Sequence, residues 1–201
     1  MRLKFGFDID GVVADLNTLL TKVSAEYLGQ HLIPEDTKFY LLRHCYGGIS
    51  LDMEKKIVDE VLTKERTKEL EPERGAIETL KKWYRRYGKL TFITSREDPD
   101  VLQPFIEKYF TDQFEYEIYY EGLKGHLCNQ LNITHFVDDY IFNAVDLANH
   151  GVFPIIYDQP YNRNCVSSRL MGRLCSRVFG WEDFDFKYLQ SALTFVYYKH
   201  E

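Results

Sequence analysis

Between residues 73 and 157, short apolar runs and helix-periodic stretches take turns along the chain. Ile77, Leu80, Tyr84 and Tyr87 recur at helical spacing, and Gly88 closes that stretch. The apolar run Lys89 to Ser95 follows, ending on hydroxyls and Arg96. A helical pattern then covers about Pro99 to Phe110, and Tyr116 to Tyr120 reads as a strand. After a basic turn around Lys124 comes a short helix, then an apolar strand Thr134 to Val137 ending on Asp138 and Asp139. A helix to about Asn149 and a strand Val152 to Tyr157 complete the series. Strands joined through helices are parallel, because a hairpin cannot bring the chain back to the same end of a sheet. The expected fold class is therefore α/β: a three-layer, Rossmann-like parallel sheet with helices on both faces.

The chain opens with a further strand, LKFGFDIDG from Leu3 to Gly11, whose C-terminal tip carries Asp8 and Asp10. Strand side chains alternate, so these two carboxylates share a face. A calcium loop is a weak match, since the third acidic residue and the closing Glu of that pattern are missing. Beyond Gly11 the spacing of Val12, Val13, Leu16, Leu19, Leu20, Val23 and Tyr27 predicts a helix stopped by Gly29. Residues 30–49 read as irregular, a second helix is expected from about Ser50 to Leu70, and Pro72 is placed to start the next one. Residues 15–72 thus read as a helical cap inserted into a core of residues 1–14 and 73–201. The tail reads as a strand-like start and a terminal helix, its aromatic residues Trp181, Phe184, Phe186 and Phe195 serving the core.

A formal charge of −6 argues against nucleic-acid polymers and anionic membranes as partners, while leaving room for a small anionic ligand in a locally positive site. No apolar run approaches the roughly 20 residues of a membrane span. Met1 to Lys4 lead straight into the first strand, so no export segment is expected there. Cys45, Cys128, Cys165 and Cys175 show no CxxC spacing, which predicts free thiols in a cytoplasmic setting rather than a zinc site.

In open parallel sheets, ligands sit at the carboxyl ends of the strands. Three strands end in polar groups there: Asp8 and Asp10, Thr94 and Ser95, and Asp138 and Asp139. Singly each has an ordinary reading: Thr94 as a strand-end hydroxyl, Lys124 as a solvated lysine, Asp138 and Asp139 as a helix cap. Together they suit phosphoryl transfer, with Asp8 as nucleophile and Asp10 as the acid and base that serves the leaving oxygen and then water. Two unit charges at about 4 Å repel by about 4 kcal/mol at an effective dielectric of 20, so carboxylates and phosphate need a cation between them. Mg²⁺ suits an all-oxygen donor set made of Asp8, Asp10 (through its main-chain carbonyl), Asp138 and Asp139. Thr94, Ser95, Arg96 and Lys124 would face the phosphate.

These stretches resemble the haloacid dehalogenase superfamily over roughly residues 3–160. Asp8-Ile9-Asp10-Gly11 is similar to its first motif, Thr94 to the second, Lys124 to the third, and Asp138-Asp139 to the acidic fourth. The resemblance implies a magnesium-dependent phosphatase with a cap between the first two motifs. Asp10 speaks against a dehalogenase, which lacks that second acid. Within the superfamily, Ile93-Thr94-Ser95-Arg96, Phe136-Val137-Asp138-Asp139, the run Asp158 to Arg163, and Arg177-Val178 followed by Trp181 resemble the 5'-nucleotidase and deoxyribonucleotidase branch. That branch carries Arg soon after the acidic pair, where this chain has Tyr140. The resemblance thus implies a nucleoside monophosphate as substrate, with Phe39, Tyr40 and Tyr46 available to stack on a base. A sugar phosphate or other small phosphoester is the alternative. A protein that binds phosphate and magnesium without turnover is the alternative of another class.

Overall fold

The computed structural model describes residues 3–164 and 175–184. Six strands form one sheet: β1 (Phe5–Phe7), β2 (Leu90–Thr94), β3 (Tyr116–Tyr120), β4 (His135–Asp138), β5 (Phe153–Tyr157) and β6 (Ser176–Val178). Their order is β3-β2-β1-β4-β5-β6, and every pairing is parallel. This is the expected α/β architecture, and β1 lies inside it with a neighbour on either side.

The pleat sorts the strand residues into two layers. Phe7, Phe92, Val137 and Ile155 face a core shared with Leu80 and Trp83 of α5 (Ala76–Tyr87) and Leu102 and Phe105 of α6 (Pro99–Tyr109). Their strand neighbours Ile93 and Phe136 face Cys128 of α7 (Gly125–Gln130) and Leu147 of α8 (Ile141–Asn149). Burial on both sides explains why the inner strands read as unbroken apolar runs.

Between β1 and α5 lie α1 (Leu16–Leu28), α2 (Leu42–Cys45), α3 (Leu51–Val61) and α4 (Lys64–Thr67). Two strands of backbone connect this segment to the sheet, and they pair: Ala14 and Pro72 form an antiparallel bridge, and the Glu73 N–H donates to the Val13 carbonyl at 2.8 Å. Pro72 therefore sits in a bridge rather than starting a helix. The helix predicted from residue 12 begins at Leu16, because the Asp15 side chain caps it by accepting from the Thr18 N–H at 3.0 Å. The single helix predicted over residues 50–70 is two helices, because Thr63 caps a new one by accepting from the Arg66 N–H.

Strand β6 is the strand-like start expected at the head of the tail, and it lies just before Trp181. Trp181 and Phe184 are buried in the core, as expected of them, and form a 3₁₀ turn rather than a strand. The predicted terminal helix, Phe186 and Phe195 lie outside the described residues. Cys45 and Cys128 are free thiols, and Cys165 also lies outside the described residues. No helix among the described residues is long and apolar enough to cross a membrane.

Candidate active site

Strand register builds the site. Phe7 pairs with Val137, so one residue further on Asp8 stands level with Asp138, and the Asp8 N–H donates to the Val137 carbonyl at 2.8 Å. On the other side Phe7 pairs with Phe92, which brings Thr94 to the same sheet end. The carboxylates of Asp8, Asp138 and Asp139 converge so that one oxygen of each lies within 4.8 Å of the others, and all three residues are buried.

Lys124 enters this cluster from the loop before α7. Its side chain is 0% exposed, and Nζ lies 2.7 Å from Asp8 Oδ2 and 2.8 Å from Asp138 Oδ2. Burial opposes the ammonium charge, yet Asp138 and Asp8 outweigh it and raise the Lys124 pKa. Three carboxylates against one ammonium leave an excess of negative charge in a buried space. Burial accordingly pushes the Asp8 carboxyl well up against the pull of Lys124, with Asp138 and Asp139 adding to the rise. Burial and then Asp138 push Asp139 up to about 7, against a hydrogen bond from Tyr161. An all-oxygen, over-negative donor set of this kind fits a hard divalent cation.

The remaining acceptor sites are filled by neighbours of the cluster, most of them named above in other connections, and by Asn143, which the sequence analysis did not single out. Asp138 Oδ1 accepts from the Tyr140 N–H at 2.8 Å, and Oδ2 accepts from Asn143 Nδ2 at 3.0 Å as well as from Lys124. Asp138 therefore serves the start of α8 and the acidic cluster at once. The Tyr161 hydroxyl donates to Asp139 Oδ2. The Asp139 carbonyl accepts from Tyr40 Oη at 2.7 Å and Asn162 Nδ2 at 2.9 Å. Arg177 in turn holds Asn162 and Asp158, donating to Asn162 Oδ1 at 2.7 Å. Asn143 and Tyr161 had a faint signal: a polar group on the inner face of a helix, and an aromatic in an otherwise polar loop.

Gly11 makes the Asp139 position accessible. Its φ is +73°, and a Cβ there would fall 2.5 Å from Asp139 Oδ2 and 2.6 Å from the Tyr161 hydroxyl. The glycine is therefore needed both for its backbone conformation and for the space it leaves.

The other predicted residues are placed as follows. Thr94 is buried, and its hydroxyl accepts from the Arg96 N–H at 3.3 Å. Ser95 is exposed. The Asp10 carboxylate lies outside the three-carboxylate cluster and is taken up by Arg96, whose Nε and Nη2 donate to its two oxygens at 2.7 and 2.8 Å. Arg96, set beside the phosphate by the sequence, spends its third donor on Thr67 Oγ1 of α4 at 2.9 Å. Of the three aromatics considered for base stacking, Tyr46 is buried and bonded to Thr37, Tyr40 bridges to Asp139, and Phe39 is exposed.

No family model matches the sequence, and no curated protein does. Solved structures do. A HAD family hydrolase from Deinococcus radiodurans, solved with bound phosphate and sodium, has a TM-score of 0.64 at 16% identity, over 95% of this chain and 94% of that one. A protein from Lactobacillus delbrueckii subsp. bulgaricus, provisionally described as a phosphoglycolate phosphatase, has a TM-score of 0.63 at 14% identity, over 92% and 97%. A β-phosphoglucomutase from Clostridium difficile has 0.54 at 14% identity, over 98% and 99%. Likeness of this degree shows the fold, which is that of the haloacid dehalogenase superfamily hydrolases.

Proposed function

We propose that the protein is a magnesium-dependent phosphomonoesterase working through an aspartyl-phosphate on Asp8. The observation that carries this reading is the meeting of Asp8, Asp138, Asp139 and Lys124, residues far apart in the chain, around one over-negative point at the carboxyl end of the sheet. An Asp8 oxygen attacks phosphorus, the bond from phosphorus to the leaving oxygen breaks, and Asp10 delivers a proton to that oxygen. Asp10 then takes a proton from the water that splits the acyl phosphate, returning Asp8 as a carboxylate. Asp8, Asp138 and Asp139 would hold the ion, which when bound supplies charge neutralisation for the incoming phosphoryl group. Lys124 bridges the Asp8 and Asp138 carboxylates and presents positive charge to the phosphoryl oxygens, with Thr94 and Ser95 as hydroxyl donors at the same sheet end.

The substrate class proposed first is a nucleoside monophosphate. Supporting it are the sequence stretches named above and the aromatic residues beside Asp139: Tyr40 meets Tyr140 edge-on at 4.9 Å, and Tyr140 is 40% exposed. A sugar phosphate or other small phosphoester is supported equally by a fold shared with a β-phosphoglucomutase. A panel of nucleoside monophosphates, sugar phosphates and short-chain phosphoesters, assayed for phosphate release with and without Mg²⁺, decides between them. Asp8→Asn is expected to abolish release from every substrate. Turnover retained in that variant defeats the mechanism, and tight phosphate binding without release favours a non-catalytic binding protein.

A further inference from the structure

Asp10 and Arg96 form a two-pronged ion pair across 86 residues of sequence, with side chains only 16% and 5% exposed. Such a fork fixes both carboxylate oxygens in one plane, which a single lysine contact would not do. The guanidinium is itself pinned, since Nη1 donates to Thr67 Oγ1, and Thr67 is fully buried at the end of α4, where its hydroxyl also donates to the Thr63 carbonyl at 2.9 Å. A chain of hydrogen bonds thus runs from the helical insertion, through Arg96, to the acid of the proposed reaction. It leaves Asp8, Asp138 and Lys124 untouched.

We infer that Arg96 is a positioning residue that aims the Asp10 carboxyl at the leaving oxygen and ties that aim to the seating of α4. The inference rests on the phosphomonoesterase reading. It gives Arg96 a role that acts through Asp10, because its Nε and Nη2 donate to that carboxylate while Nη1 donates to Thr67.

The leaving group separates the two roles. A nitrophenolate departs with little help from an acid, whereas an alkoxide needs a proton. The value of kcat/KM reports only the steps up to leaving-group departure, so later use of Asp10 as a base does not enter. The experiment measures kcat/KM with Mg²⁺ for p-nitrophenyl phosphate and glycerol phosphate, in the unaltered protein and in Arg96→Met, Arg96→Lys and Thr67→Val. For Arg96→Met the alkyl ester is expected to lose about 100-fold, the effect of a misaligned catalytic group, and the nitrophenyl ester no more than about tenfold. Arg96→Lys should recover part of the difference. Thr67→Val, which removes one hydrogen bond, should lower the alkyl ester alone by about fivefold. If Arg96→Met does not fold, Arg96→Lys and Thr67→Val carry the same comparison. Equal losses on both esters, or no loss, overturn the inference while the phosphatase reading stands. An unaltered protein that releases phosphate from neither ester nor from any nucleoside monophosphate or sugar phosphate of the panel overturns that reading and the inference with it.

Discussion

Lys124 is the residue on which the site's charge balance turns. A buried ammonium between two carboxylates costs desolvation on all sides, and its removal leaves those carboxylates facing each other without compensation. Lys124→Met, similar in length, is therefore expected to destabilise the cation-free protein by about 3–5 kcal/mol. Added Mg²⁺ should raise the melting temperature of the variant more than that of the unaltered protein, because the ion then meets more uncompensated charge. Thermal melts with chelator and with magnesium check both. Gly11 offers a second test. Its positive φ and the close approach of Asp139 and Tyr161 predict that Gly11→Ala costs about 1–3 kcal/mol and weakens magnesium binding, seen as a lower melting temperature and a smaller magnesium-induced shift. The acids were legible because carboxylates at the tips of buried strands have no packing role. Lys124 was legible only in company, and Tyr161 and Asn143 scarcely at all, since what brings them to Asp139 and Asp138 is tertiary packing rather than any local pattern.

At the scale of elements, the inner strands and the helices between them could be read closely, because burial on both faces writes them as apolar runs and one-sided stripes. The inserted segment could not. Its helix starts are set by capping side chains that periodicity alone does not reveal, Asp15 at one and Thr63 at another. The break between α3 and α4 rests on Thr63, whose hydroxyl donates to the Glu60 carbonyl at 2.8 Å as well as capping α4. Thr63→Ala is expected to cost about 1 kcal/mol, measured by denaturant unfolding. Because α4 carries Thr67, the same change should also disturb the Arg96 contact, whereas a capping loss of equal size at Ser50, the N-cap of α3, should not. Strand β6 could be read only as a strand-like start to the tail, without bounds: at the sheet edge, a three-residue strand needs little apolar character, and Arg177 on it serves Asp158 and Asn162 rather than the core.

For the whole molecule, two buried titratable groups outside the three-carboxylate cluster set opposing pH dependences. His135 on β4 lies between the rings of Phe5 and Phe153, at 5.0 and 5.4 Å, and its Nε2 is buried without a hydrogen-bond partner among the described residues. Burial lowers its pKa from 6.5 to about 4. Its contribution to stability is therefore complete above pH 6.5 and is lost as pH falls toward 4, since the unfolded chain takes up the proton first. Glu73, beside the paired connections to the inserted helices, behaves oppositely: burial, then Asp15, raises its pKa from 4.5 to about 7. Its contribution is complete below pH 4.5 and is lost as pH rises through 7. Each shift corresponds to about 3 kcal/mol at most, at about 1.4 kcal/mol per pH unit. The test is the stability of each variant minus that of the unaltered protein, from denaturant melts in magnesium-free buffer at several pH values. For His135→Phe that difference should become more favourable as pH falls from 6.5 to 4, because the variant has no imidazole to charge. For Glu73→Gln it should become more favourable as pH rises from 4.5 to 7. A difference for His135→Phe that does not vary with pH would show that the imidazole takes up its proton as readily in the folded protein as in the unfolded chain.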